Sequence, residues 1–483
     1  MANPAGRKIY WILWGVLSMG VGGYLTAGLL MKSAAGNPWL QPARTMFLPG
    51  KTTHGHYQIE LACESCHANP FGGRDALQES CERCHGQELK DAVDKHPRSK
   101  FTDPRNAELA EKLDATMCVT CHVEHRPEIT RTMGVTLAGD FCAHCHKDIA
   151  EDRPSHKGMA FNTCNSAGCH KFHDNRALYE DFLAKHLNEP AHHPRQQIPA
   201  RNFREVAAAW PGYPVDRFPL KPQTAADAPA DLMQSREAVA DWLATAHATG
   251  GVNCSGCHKG EKDGAEAWVK RPDHKVCATC HESETKGWLT GKHGMRLAEG
   301  LAPMTPGRAR QPMHAEALDK ELSCTSCHGA HRFDTKKAAV EACVGCHRDR
   351  HTEAYERSSH YTLWKKELAG EAPAGSGVSC ASCHLPREEH RAPGTDAKRV
   401  LVQHNQNDNL RPNEKMIRPV CMSCHGLGYS IDALADAKLT LENFAGKPGA
   451  HVKSLDMVAQ RLKELEEKRR KKGGSKASAD ERR

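Results

Sequence analysis

Twenty-two cysteines fall into eleven pairs, and each pair runs directly into a histidine. Ten pairs have the spacing Cys-x-x-Cys-His: Cys63 and Cys66, Cys81 and Cys84, Cys118 and Cys121, Cys142 and Cys145, Cys254 and Cys257, Cys277 and Cys280, Cys324 and Cys327, Cys343 and Cys346, Cys380 and Cys383, and Cys421 and Cys424. The eleventh, Cys164 and Cys169, holds four residues between its thiols. The histidines that follow, in chain order, are His67, His85, His122, His146, His170, His258, His281, His328, His347, His384 and His425. Two thiols at this spacing add to the two vinyl groups of one haem while the adjacent imidazole turns back onto the iron. Zinc ribbons also use Cys-x-x-Cys, but neither they nor a disulfide framework needs a histidine after every pair. The spacing therefore predicts eleven haem c groups, with those histidines as proximal ligands.

Of the 31 histidines, 20 remain for the distal faces, so bis-histidine ligation is the economical expectation. His125, His173 and His331 lie three residues after a proximal histidine, too close to fold back onto the same iron, and are assigned to neighbouring haems. His56, His156, His247 and His314 lie seven to ten residues before a motif. His96, His186, His293, His360, His390 and His404 complete the distal candidates. His144 sits inside its own motif, and His192, His193, His274, His351 and His451 read as surface residues or propionate neighbours.

These sites must be positioned by a chain of 483 residues with 39% hydrophobic and 6% aromatic content, thin for a side-chain core. Porphyrins supply apolar volume, so the expected fold is mainly α with extensive irregular loops wrapped around haems. Asp231 to His247 and Ser430 to Asn443 read as helices, and no sustained period-2 alternation predicts sheet. The formal charge of +7 omits the haems. Subtracting 22 propionate charges and adding one per ferric haem leaves about −4, so the Lys and Arg residues read as propionate partners and no nucleic-acid face is expected.

Ile9 to Met31 carries no charge and follows Arg7 and Lys8. At about 1.5 Å per residue it reaches roughly 34 Å, enough to span a bilayer. The basic flank puts the N-terminus in the cytoplasm and the rest in the periplasm. A cleaved signal peptide is the rival, with Ser33-Ala34-Ala35 as its cleavage site. The expected division is a cytoplasmic N-terminus at 1–8, a transmembrane helix at 9–31 and a juxtamembrane linker at 32–53. A pentahaem module at 54–195, a Pro-rich connector at 196–240 and a hexahaem module at 241–450 follow. An amphipathic helix at 451–472 and a disordered tail at 473–483 close the chain. Cys63, Cys81 and Cys118 are 18 and 37 residues apart, and Cys324, Cys343 and Cys380 are 19 and 37 apart, which suggests an internal repeat.

With closely spaced motifs and trailing histidines, as in Cys118-Val119-Thr120-Cys121-His122-Val123-Glu124-His125, the N-terminal module resembles the class III multihaem cytochromes, which are electron carriers. His360, Cys380 to Pro386, His404 and Cys421 to Gly426 are similar to the end of the pentahaem nitrite reductase and octahaem hydroxylamine oxidoreductase superfamily. That resemblance, over roughly 355–435, implies a haem arrangement that in those relatives includes one iron with an open distal side. The chain lacks the Cys-x-x-Cys-Lys motif common in the nitrite reductases. Tetrahaem membrane quinol dehydrogenases share the single span but place their first motif nearer the membrane. The leading expectation is a periplasmic electron carrier of the bacterial inner membrane, working between a quinol-oxidising complex, other cytochromes or a reductase, with no catalytic residue. The alternative is an oxidoreductase of nitrogen or sulfur compounds with one open haem in the C-terminal module.

Overall fold

The computed structural model describes residues 4–31, 37–69, 72–92, 96–131, 134–137, 141–153, 156–158, 172–173, 178, 180–196, 198–199, 223–231, 235–262, 265–391, 398–410 and 413–480. The wide motif of Cys164, Cys169 and His170, most of the Pro-rich connector and Ser33-Ala34-Ala35 lie outside them. The fold is mainly α-helical with irregular loops, as expected. Among the described residues sheet is confined to two antiparallel hairpins, β1 (Lys259–Lys262) with β2 (Ala265–Trp268) and β3 (Arg387–Arg391) with β4 (Lys398–Val402). Strands of four or five residues are too short to leave a clear alternation in the sequence.

The chain divides into two compact units. The first comprises Met1–Lys90, Pro97–Ala138 and His293–Met304; the second comprises Asp91–His96, Gly139–Lys292 and Thr305–Arg483.

In the first unit, helix α1 (Pro4–Leu30) includes a stretch, Arg7–Leu30, long and apolar enough to cross a membrane. Its apolar side chains are exposed, as in Trp11, Leu17 and Met19. The short helix α2 (Gln41–Met46) packs against its end, where a Cβ on Gly28 would stand 2.5 Å from that of Ala43, so only glycine permits the approach. Arg44 on α2 is 2% exposed and gathers four acceptors. Its guanidinium donates to the carbonyls of Gly28 (3.0 Å), Met31 (3.1 Å) and Leu61 (2.6 Å) and pairs with Glu64 at 2.8 Å. The last turn of α1 is thereby tied to the short helix Cys63–Cys66 and to Leu61 ahead of it. His293–Met304 joins this unit through Leu301, buried against Ile59, Leu61 and Ala62, and through the buried Arg296, which donates to the Gln58 carbonyl at 2.6 Å.

In the second unit Leu178, Leu183, Ile417, Leu427, Ile431 and Val458 form an apolar cluster. Val458 comes from the helix Ser454–Asp480, whose Leu455 and Leu462 join the same cluster. That helix runs to Asp480, into the segment expected as a tail.

Candidate functional site

Each attachment motif needs its histidine on the same side as its first cysteine, and one helical turn does this. The backbone N–H of His67 donates to the Cys63 carbonyl at 2.7 Å, and the same bond recurs from His122 to Cys118, His146 to Cys142, His281 to Cys277, His347 to Cys343 and His425 to Cys421. Neighbouring side chains start these turns. Ser323 with Ser326 and Ser379 with Ser382 form capping boxes ahead of Cys324 and Cys380, and Gln78 accepts from the Cys118 N–H at 2.7 Å. No disulfide forms among the described cysteines.

The second cysteines of the motifs differ in setting. Burial pushes the thiols of Cys257 and Cys327 up to about 11 and that of Cys383 up to about 12, which marks them as lying in enclosed surroundings. Other attachment thiols differ in exposure. Cys84 and Cys280 are exposed, and Cys280 Sγ accepts a long bond of 3.9 Å from the Thr279 hydroxyl. Cys145 is half-buried, with its backbone N–H on the Cys142 carbonyl at 3.2 Å. Cys169 lies outside the described residues. For Cys84, Cys145, Cys169 and Cys280 the assignment rests on motif spacing. An exposed second thiol suits a haem whose edge reaches solvent, because the spacing fixes the attachment while the loop around it need not be covered.

Seven of the post-cysteine histidines face a second imidazole across a nearly constant gap. The ring centroids are 6.0 Å apart for His56 and His85, 6.1 Å for His96 and His146, 6.0 Å for His247 and His281, and 6.0 Å for His258 and His331. They are 6.3 Å apart for His328 and His404, 6.1 Å for His351 and His384, and 6.3 Å for His360 and His425. A metal–imidazole bond is about 2 Å, and the ring centre lies about 1.1 Å behind its nitrogen, so two rings on opposite faces of one metal stand about 6.2 Å apart. Direct stacking would bring them closer, as with His425 and Tyr429 at 4.7 Å. The gap therefore fits one metal ion between each pair, and the adjoining cysteines fit a covalently held haem.

Backbone and carboxylate acceptors fix the direction of many of these rings by taking the Nδ1 proton, leaving Nε2 as the nitrogen to ligate. His56 bonds Glu124 (2.6 Å), His96 the Phe172 carbonyl (2.7 Å), His258 that of Val269 (2.7 Å), His404 that of Val402 (2.8 Å) and His425 that of Ala191 (3.1 Å). The hairpins now have a use. β1–β2 carries Val269 just past its end and stacks Trp268 on His258 at 4.9 Å, and β4 ends at the acceptor for His404. His351 donates to the Thr440 carbonyl at 2.5 Å; Asn443 Nδ2 lies 3.2 Å from its Nε2 and would have to turn aside for that nitrogen to bind metal.

Electrostatics favours neutral, ligating imidazoles. Burial, with help from neighbouring His281 and His328, pushes His247 down to about 4, and its Nδ1 has no hydrogen-bond partner. Burial, then His425, does the same to His360. Burial also lowers His331, His347 and His425. Burial would raise Glu124, but hydrogen bonds from His56 and Thr53 outweigh it and hold the carboxylate at about 2. Attachment points of consecutive motifs touch: the thiols of Cys81 and Cys118, Cys277 and Cys324, and Cys343 and Cys380 share hydrogen bonds that raise Cys81, Cys324 and Cys343.

Six of the thirteen distal candidates thus face a proximal histidine: His56, His96, His247, His331, His360 and His404. His351, read from sequence as peripheral, does so too. Of the others, His125 bonds the Gly50 carbonyl at 2.8 Å, His173 packs on Phe172, and His186 bonds Glu189 at 2.6 Å. His156 is lowered by burial, and His390 on β3 lies 3.8 Å from Glu388. His314 lies 3.7 Å from Glu316 and donates its backbone N–H to the Cys346 carbonyl. His293 falls within the first unit. Among those read as peripheral, His192 lies tilted beside His425 at 4.8 Å and His451 bridges Asp432 and Asp456.

Residues 55–147 and 246–348 each match the cytochrome c3 family. These two matches support a multihaem c-type cytochrome. Each match spans four attachment motifs, Cys63 to His146 and Cys254 to His347, and electron transfer by covalently bound haem is the activity that goes with such segments. No curated protein and no solved structure matches this cytochrome.

Proposed function

We propose that the chain is a membrane-anchored periplasmic cytochrome that binds eleven haem c groups and passes electrons between respiratory partners. The observation that carries this reading is the set of seven imidazole pairs facing each other at 6.0–6.3 Å. Haem, when bound, supplies a one-electron Fe(III)/Fe(II) couple. The paired histidines close both faces of the metal position, so they favour outer-sphere transfer over binding of a substrate. Touching thiols, Cys81 with Cys118, Cys277 with Cys324 and Cys343 with Cys380, hold successive attachment points side by side, as a relay requires. In the C-terminal segment, where the resemblance to nitrite and hydroxylamine enzymes implied an open iron, His351 faces His384 and His360 faces His425. The apolar stretch Arg7–Leu30 and its basic flank support an inner-membrane anchor with the cysteine motifs on the periplasmic side. The donor is then a quinol-oxidising complex or another cytochrome, and the acceptor a further cytochrome or a reductase.

Electron paramagnetic resonance of the oxidised protein and carbon monoxide titration of the reduced protein test this. All irons are expected to be low-spin, with no appreciable carbon monoxide binding. A high-spin iron that binds nitrite, hydroxylamine or carbon monoxide in the unaltered protein would replace the carrier with an oxidoreductase of nitrogen or sulfur compounds.

A further inference from the structure

The two family matches repeat one ligation pattern, and the pattern leaves the same position open in each. His56 and His247 both lie seven residues before the first cysteine of their segment, and both face the second proximal histidine, His85 or His281, at 6.0 Å. His125 and His331 both lie seven residues after the first cysteine of the third motif. Both adopt the left-handed backbone region rare for histidine, with φ of 60° and 63°. His331 faces the first proximal histidine, His258, so His125 holds the equivalent position toward His67. The second and third motifs touch through Cys81 and Cys118 in one segment and through Cys277 and Cys324 in the other. Between those two motifs, His96 serves the fourth site by facing His146. Its counterpart His314 is bonded to the Cys346 carbonyl beside an isolated bridge from Met313 to His347.

The third site differs. In the second segment His328 is faced by His404, which lies beyond residue 348 and so outside the match. In the first segment the other three sites take every histidine within 55–147 except His122 itself and His144, which sits inside the fourth attachment loop. His122, the third proximal histidine, must also look outside. Its Nδ1 donates to the Gly134 carbonyl at 3.1 Å, which orients Nε2 outward as at the completed sites. The compact unit that holds His122 contains two further histidines, His54 and His293. His54 is exposed, with its ring tilted over Tyr57. His293 is half-buried, and its segment is fixed in this unit by Arg296 on the Gln58 carbonyl, by the Ser65 hydroxyl donating to the Glu299 carboxylate and by the buried Leu301.

We propose that His293 is the second axial ligand of the haem held by Cys118, Cys121 and His122. This rests on the haem reading above. The second cytochrome c3-like segment then lends a histidine across more than a hundred residues of sequence to complete the first, just as the chain beyond residue 348 completes the second. His293–Met304 becomes a strap whose docking decides whether that iron is closed.

The test compares the full-length H293A protein with the unaltered one. Haem content by pyridine haemochrome should stay the same. One iron should turn high-spin in the oxidised protein, and the reduced protein should gain one equivalent of carbon monoxide binding. The H54A variant should change neither. In a C118A/C121A background, H293A should add no further high-spin iron. H293M should keep the iron six-coordinate, adding a methionine–iron charge-transfer band and raising one midpoint potential, and this variant serves if the C118A/C121A background does not fold. The proposal is overturned if H293A leaves every iron low-spin, if H54A opens the site instead, or if the H293A signal persists without Cys118 and Cys121. Absence of covalent haem from the unaltered protein would overturn the underlying reading together with it.

Discussion

The ring of His351 stands 6.1 Å from that of His384, yet in sequence it is one of several histidines with no clear assignment. Its place is set by long-range contacts: the Thr440 carbonyl, 89 residues away, takes its Nδ1 proton, and Asp349 caps the short helix Arg350–Ala354 that carries it. Changing His351 to alanine should leave haem content unchanged and turn one iron high-spin, read by electron paramagnetic resonance; a fully low-spin H351A protein would remove His351 from the ligand set. The contrast with His331 shows what was legible. A histidine three residues past its own proximal ligand cannot reach that iron, so its assignment to a neighbouring haem follows from chain geometry, and it faces His258. Cysteine pairs and proximal histidines are local and can be read directly, even where, as at Cys84 and Cys280, the thiol is exposed. Distal partners are long-range, and only offsets from a motif hint at them.

At the scale of elements, Arg44 does what the 31 residues between Met31 and Cys63 obscure. The sequence spacing reads as distance between the apolar helix and the first motif, but a single buried guanidinium bonds Gly28 and Met31 at the end of α1 and Leu61 and Glu64 beside Cys63. Its planar fork satisfies all four acceptors, which a single ammonium on a flexible stem cannot do. Arg44→Met leaves buried carbonyls without a donor, at about 1–3 kcal/mol for each group left unsatisfied. The expected result is a lower thermal midpoint and faster proteolytic cleavage within residues 32–53, with little rescue by Arg44→Lys. Unchanged melting and cleavage would show that α2 holds this junction without its arginine. The hairpins make the complementary point. β1–β2 and β3–β4 are too short to announce themselves by alternation, yet each ends at the acceptor that orients a histidine, Val269 for His258 and Val402 for His404.

Over the whole molecule, the repeat suggested by spacing alone set Cys63, Cys81 and Cys118 against Cys324, Cys343 and Cys380. The family matches instead set the first segment against the one beginning at Cys254; His56 and His247 agree with that alignment in offset and ring partner, and His125 and His331 in offset and backbone angle. Inter-motif spacing misleads because loops between attachment sites change length freely, whereas a ligating histidine is held at a fixed reach from its motif. The same logic governs the wide motif of Cys164 and Cys169, which keeps both thiols and His170 despite its longer loop. If every cysteine pair is an attachment site, the intact mass of protein extracted from inner membranes by detergent should exceed the polypeptide by eleven haems, starting from Met1 or Ala2. The C164A/C169A variant should lose one haem and keep the same N-terminus. A ten-haem mass for the unaltered protein would remove the wide motif from the set. A soluble form beginning near Gly36 would make the apolar helix a leader, detaching the Arg44 junction from any membrane. The measurement thus separates the cofactor count from the anchor, because a haem and an N-terminal segment change the mass by different and recognisable amounts.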